Sequence, residues 1–185
     1  MLDENIIELY NKRSEDAISE TAKKYGKVCQ TVAYNVLKNT QDAEECVNDT
    51  YLNTWNAIPP ERPNSLISFL CRITRNLALD RYRGKTAKSR TNGQPDLIFE
   101  ELSECISDSK TSDDDIENIL RRDVINRFLA ALNEENRDMF VLRYWYMYSI
   151  ADIARLYHFS ENKVSVSLFR IRKSLKLVLE KEGVY

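Results

Sequence analysis

The chain has 185 residues with 43% hydrophobic and 30% charged side chains and a formal net charge of -2, a globular balance that excludes a disordered chain and suffices for one ordinary domain or two small ones. Only four Gly and four Pro occur, so the tight turns of a sandwich or barrel are undersupplied and an all-α fold is expected. No apolar run approaches the roughly 20 residues that span a bilayer, and the acidic start MLDENIIELY lacks the basic and apolar regions of a signal peptide, so a cytoplasmic protein without membrane insertion is expected.

Cys29, Cys46, Cys71 and Cys105 are widely separated, form no CxxC pair and are accompanied by one histidine, His158. They predict reduced structural thiols and neither a metal site nor a disulfide framework. With no glycine-rich phosphate loop and no GxSxG elbow either, an enzyme is not expected, and no catalytic residue or cofactor is assigned.

Helical periodicity runs from about Ile6 to Arg83, broken at Pro59, Pro60 and Pro63, whose fixed dihedrals and missing donors end one helix before the next begins. Within it, DAEECVNDTYLNTW sets Ala43, Val47, Thr50 or Tyr51, Thr54 and Trp55 on one side and leaves Asp42, Glu44, Glu45, Asn48 and Asp49 outside. Solvation explains such an acidic face, and so does docking to a basic protein surface. The following SFLCRITRNLALDRYR turns Leu66, Phe69, Leu70, Ile73 and Leu77 inward on a helical wheel, with Asp80 on the same side as a buried, hydrogen-bonded strut. Arg72, Arg75, Leu79, Tyr82 and Arg83 remain on or near the outer face, a mixture of cations and aromatics suited to phosphates and unpaired bases.

Charge is unevenly distributed. Residues 72–90 hold seven bases against Asp80, a net +6; residues 161–181 hold six bases against two acids, a net +4; residues 96–123 hold ten acids against three bases, a net -7. Two basic helical segments thus flank an acidic bridge, a pattern of interaction surfaces. From Gly84 to about Asp115 the chain carries Gly93, Pro95, several Ser and Thr and the run Ser-Asp-Asp-Asp, a composition poor at burying a face. The expected organisation is a helical domain at 1–90, a flexible acidic linker at 91–115 and a second helical domain at 116–185.

In the second domain, SIADIARLYHFSENKVSVSLFRIRKSLKLVL predicts a short helix Ile150 to Tyr157 capped by Ser149 and a longer one from Glu161 capped by Ser160, a helix-turn-helix. His158 occupies the turn where glycine is usual, a structural place, since histidine tolerates positive φ. Val164, Leu168, Ile171, Leu175 and Val178 form the inward stripe, opposite Asn162, Val166, Phe169 and Lys173 with Lys163 and Arg170 beside them. A merely solvated face has little use for Phe169 and Val166 among cations, whereas a major groove does: apolar groups meet thymine methyls while Arg and Lys take bases or phosphates.

DAEECVNDTYLNTW, ITRNLALDRYR, LNEENRDMFVLRYWYMYSIADIA and SENKVSVSLFRIRKSL, in this order and spacing, resemble regions 2 and 4 of extracytoplasmic-function sigma factors of the sigma-70 family, covering nearly the whole chain outside the linker. The resemblance implies a subunit of bacterial core RNA polymerase that selects promoters, whose first domain binds the β′ clamp helices and melts the −10 element while the second reads the −35 element and touches the β flap. By position, it implies polymerase binding by Asp42, Glu44, Glu45, Asn48, Asp49 and Leu52, with Trp55 packing. It implies −10 contacts by Arg62, Asn64 and Ser65 in the loop that holds an extruded base, and by Arg72, Arg75, Asn76 and Arg83 beside it. It implies −35 contacts by Lys163, Ser165, Val166, Ser167, Phe169, Arg170 and Lys173. An anti-sigma factor is a further possible partner. Asn48 stands for a more usual Gln, Ser165 and Val166 for Lys or Arg and then Ser, and Met147 and His158 for glycines; these departures bear on the −35 base preference. The rival reading is a polymerase-independent helix-turn-helix transcriptional regulator with a helical effector domain.

Overall fold

The computed structural model describes residues 1–86, 94–103 and 115–183, and its chain divides into two compact units, Met1–Thr91 and Asn92–Tyr185. The described residues are mostly helical and contain no strand. The first unit holds α1 (Asp3–Asn11), α2 (Asp16–Leu37), α3 (Thr40–Ala57) and α4 (Leu66–Thr86); the second holds α5 (Gln94–Ser103), α6 (Asp115–Ala131), α7 (Glu134–Tyr144), α8 (Ile150–Tyr157) and α9 (Glu161–Lys181).

In the first unit α2, α3 and α4 pack on one another, and α1 lies against α2 through Ile6 and Tyr10, both fully buried. Proline punctuation ends α3 at Ala57 and delays α4 to Leu66, as the sequence leads one to expect. The core is unusually rich in hydroxyls: Thr21, Thr50, Thr54 and Thr74 have no exposed surface, and each such group must find a partner indoors. Thr50 donates to the Cys46 carbonyl at 2.9 Å and its oxygen lies 3.1 Å from that of Thr74, while Thr21 and Tyr10 hydroxyls meet at 2.9 Å. Gly26, inside α2, has a reason to be there: a Cβ would sit 3.1 Å from the Tyr51 hydroxyl oxygen, so glycine lets α2 and α3 approach closely. Cys29, Cys46 and Cys71 are buried free thiols. Burial pushes Cys46 up to about 11 and Cys71 up to about 12, leaving them protonated at neutral pH. Cys105 lies outside the described residues.

The wheel for α4 needs turning. Leu66, Phe69 and Leu70 are buried as expected, but the inward stripe continues through Cys71, Thr74, Ala78 and Leu79, while Ile73 and Leu77 are only half-buried. Asp80 is no buried strut: its side chain is 75% exposed and stands 3.9 Å from the Arg83 guanidinium. Small side chains at 71, 74 and 78 bring α4 close to its neighbours, and a wheel weighted by large apolar residues cannot see them.

In the second unit both expected caps form: Ser149 accepts from the Asp152 amide at 3.0 Å and Ser160 from the Lys163 amide at 3.2 Å. The stripe on α9 buries Val164, Leu168, Ile171 and Leu175 and ends on Leu179; Val178 is half-buried. His158 ends α8 in the left-handed conformation at φ 55 and ψ 39, and Met147, 1% exposed, has φ 60. Replacing the exposed His158 with Gly is expected to stabilise the unit by about 0.5–1 kcal/mol, because the left-handed penalty of roughly 1–2 kcal/mol is only partly offset by glycine's larger unfolded-state entropy. A higher denaturation midpoint checks this.

The stretch assigned to the linker is helical over Gln94–Ser103, and Ile98 there is 3% exposed. The acidic run around 104–114 and residues 87–93 lie outside the described residues.

Candidate nucleic-acid and partner surfaces

On α9 the residues opposite the buried stripe stand clear of the unit. Val166 is 38% and Phe169 56% exposed, and Arg170 and Lys173 are exposed with them. Spaced i, i+3, i+4 and i+7, they form one row about 10 Å long at 1.5 Å per residue, on a helix whose diameter of about 10–12 Å with side chains is admitted by a major groove about 12 Å wide. Ser165 and Ser167 flank the row, half-buried. Lys163 sits at its start, but its ammonium is engaged: it lies 3.2 Å from Glu135 and over the Phe159 ring, 3.1 Å from the centroid. The row thus combines apolar and cationic groups, with its first cation tied to α7 and to the turn.

In the first unit, α3 exposes Glu44, Glu45, Asn48 and Leu52, the last 57% exposed, and half-exposes Asp42 and Asp49. Trp55 packs as expected, edge-on to Tyr10 with the Arg13 guanidinium 5.3 Å from its ring centroid. The structure adds that the acids and the basic segment meet. Lys85 reaches Asp42 at 2.5 Å, and Arg81 bridges Glu45, at 3.1 Å, and Asp49. A helix wheel treats each helix alone and cannot show that part of the +6 on α4 is engaged by α3.

Farther along the two helices, beyond Asp49 and Arg81, α3 and α4 carry a different feature. Phe69, Arg72, Ile73, Asn76, Leu77 and Asp80 of α4, with Asn53 and Ala57 of α3 and Glu61 of the connecting loop, line an open cavity of about 260 Å³. Its chemistry is mixed: an apolar floor from Phe69, Ile73 and Leu77, amides from two asparagines, and Arg72 lying 5.1 Å over the Phe69 ring and 3.4 Å from Glu61. Arg62 and Asn64 are exposed on the adjoining loop, and the Ser65 hydroxyl lies 3.0 Å from that of Ser68. Arg72, Asn76 and the loop are therefore brought together. Arg75 is not on that side: it is half-buried, and burial lowers the guanidinium from its ordinary value. Tyr82 is half-buried and Arg83 exposed, one turn beyond the cavity.

Sequence reasoning missed a polar cluster in the second unit. Glu101 of α5 accepts from Arg143 Nε and Nη2 at 3.2 and 2.8 Å, from the Tyr144 hydroxyl at 2.9 Å and from Arg172 Nη1 at 3.3 Å. Burial raises the Glu101 carboxyl and the Arg143 hydrogen bonds outweigh it, leaving it below its ordinary value. Burial and the Glu101 charge push the Tyr144 phenol well up, so it stays a donor. Arg143, a lone charge inside the apolar run FVLRYWYMY, was the available signal, since a buried guanidinium requires a partner.

Among the described residues, no group of three or more His, Cys, Asp or Glu could hold a metal, and no helix is long and apolar enough to cross a membrane. Comparison with known proteins matches residues 21–88 to Sigma-70 region 2 and residues 122–175 to Sigma-70, region 4. The chain is also 22% identical, over 175 residues and 92% of each chain, to the ECF RNA polymerase sigma factor SigW of Bacillus subtilis (strain 168).

Proposed function

The chain belongs to the sigma-70 family, in its extracytoplasmic-function group, and directs promoter recognition and transcription initiation; from that premise we propose which of its surfaces do so. The first unit, with boundaries near residues 1–90, docks the β′ clamp helices through the exposed edge of α3, Asp42, Glu44, Glu45, Asn48, Asp49 and Leu52. The loop residues Arg62, Asn64 and Ser65 with Arg72 and Asn76 receive an extruded −10 base in the cavity, and Arg75 and Arg83 support the strand nearby. Phe69 supplies an apolar wall and Arg72 a charge, the pairing that single-stranded nucleic acid favours. The second unit reads the −35 element with Lys163, Ser165, Val166, Ser167, Phe169, Arg170 and Lys173 and touches the β flap. The protein performs no chemistry of its own and works in the cytoplasm, where an anti-sigma factor is a fitting further partner.

The exposed row Val166, Phe169, Arg170 and Lys173 carries this reading, because an apolar and cationic ridge has little use on a solvated helix and finds partners in a major groove. Arg170→Ala is expected to weaken −35-dependent promoters by about 1–3 kcal/mol, the usual worth of a good base contact. A promoter panel with core polymerase checks it. Loss spread evenly over all promoters indicates a phosphate contact, and no loss removes Arg170 from the reading face.

A further inference from the structure

We infer that α5 is an integral part of the −35-reading unit and that Glu101 is a positioning residue for the reading helix α9; this rests on the reading of α9 given above. The geometry is that of a hub. One carboxylate takes the fork of Arg143 from α7, the Tyr144 hydroxyl from the same helix, and Arg172 from α9. Tyr144 closes the ring, since its oxygen also accepts from Arg172 Nη1 at 2.7 Å. Arg143 spends its remaining arm, Nη1, on the Tyr148 carbonyl at 3.0 Å, immediately before the Ser149 cap of α8. A single side chain of α5 thereby joins α7, the start of α8 and the flank of α9.

What the hub fixes is the rotation of α9 about its own axis. The buried stripe sets that rotation only within the give of apolar packing, which is non-directional. The hydrogen bonds on Arg172 are directional and act from the side. Arg172 is three residues beyond Phe169 and next to Lys173, so holding it holds the row. With side chains the helix has a radius of about 5–6 Å, so a roll of about 20° moves a tip by about 2 Å, enough to break a hydrogen bond to a base edge. Burial makes the hub stiff: the Arg143 side chain is 4% and that of Arg172 13% exposed.

The experiment uses the full-length protein with core polymerase and measures the ratio of initiation from a promoter with an intact −35 element to one with that element scrambled. Glu101→Gln keeps size but removes the charge. Arg172→Lys keeps the charge but exchanges the planar guanidinium, whose Nη1 reaches both Glu101 and Tyr144, for an ammonium on a shorter, more flexible stem. Each is expected to lower the ratio by about five- to tenfold, part of one base contact, at temperatures where thermal unfolding shows the variant still folded, with core capture unchanged. A merely structural role predicts otherwise: the ratio is unchanged while the variant is folded, falls only as the unit melts, and returns on cooling. An unchanged ratio in both folded variants, with Arg170→Ala still lowering it, overturns the inference alone. An unchanged ratio in Arg170→Ala as well removes the reading of α9 and the inference with it.

Discussion

Reversing Glu45 and Asp49 to Lys is expected to abolish capture of core polymerase, lowering affinity by about a thousandfold, because like charges placed across a docking contact cost several kcal/mol. Helicity by circular dichroism should be unchanged. The same two carboxylates hold Arg81, so the reversal also sets two ammonium groups beside a guanidinium whose side chain is 28% exposed. That internal cost is small by comparison, since exposed ion pairs contribute roughly 0–1 kcal/mol each. Glu44→Lys separates the two effects, for Glu44 is exposed on the same helix and lies outside the Arg81 bridge. If polymerase docks on this face, Glu44→Lys weakens capture too, with an unaltered thermal midpoint. Normal capture by both variants would remove the acidic face from the polymerase interface.

The second large effect concerns the buried guanidinium. Arg143→Ala leaves Glu101 without its main partner and the Tyr148 carbonyl without its donor, and breaking such a buried pair costs about 3–5 kcal/mol. Against a marginal stability of about 5–15 kcal/mol for a native protein, the second unit should melt early and −35-dependent transcription should fail at ordinary temperature. Differential scanning calorimetry of the full chain reads this as a downward shift of one transition. The triple variant Glu101→Leu, Arg143→Met and Arg172→Met, which removes the carboxylate together with both guanidiniums it holds, should recover much of the loss, because well-packed apolar replacements of buried ionic groups are often neutral or better. Acid should show the same contact from the other side. The folded Glu101 carboxyl lies below its ordinary value, so its stabilisation is fully present above the unfolded glutamate value of about 4.3 and disappears as pH falls through the lower folded one. Glu101→Gln should lack that portion of the acid sensitivity.

What the chain states locally, it states well. The caps Ser149 and Ser160, the proline break after Ala57 and the acidic outer face of α3 all depend on residues within a turn or two of each other, and the structure has them where the sequence leads one to expect. The failures share one cause, which is that they depend on what another helix brings. Asp80 reads as inward only if Ile73 and Leu77 define the core side of α4; in the structure Cys71, Thr74 and Ala78 do, and Ile73 and Leu77 line the open cavity with Asp80. Likewise Arg81 and Lys85 count as cations toward nucleic acid until α3 places carboxylates against them. Glu101 is the extreme case. In sequence it is one acid in a bridge of net charge -7, and its partners stand 42 to 71 residues away on α7 and α9. A polar composition argues against burial for a segment alone, but two arginines and a tyrosine from elsewhere reverse the balance for a single carboxylate.

The measurement that bears most directly on promoter selection is transcription by purified core polymerase on a library of promoter sequences, with and without this protein, read as the set of start sites. A distinct set of transcripts is expected to appear only with the protein, from templates that share sequence preferences at both the −10 and −35 positions. The same transcripts in the same proportions with and without the protein would contradict such selection.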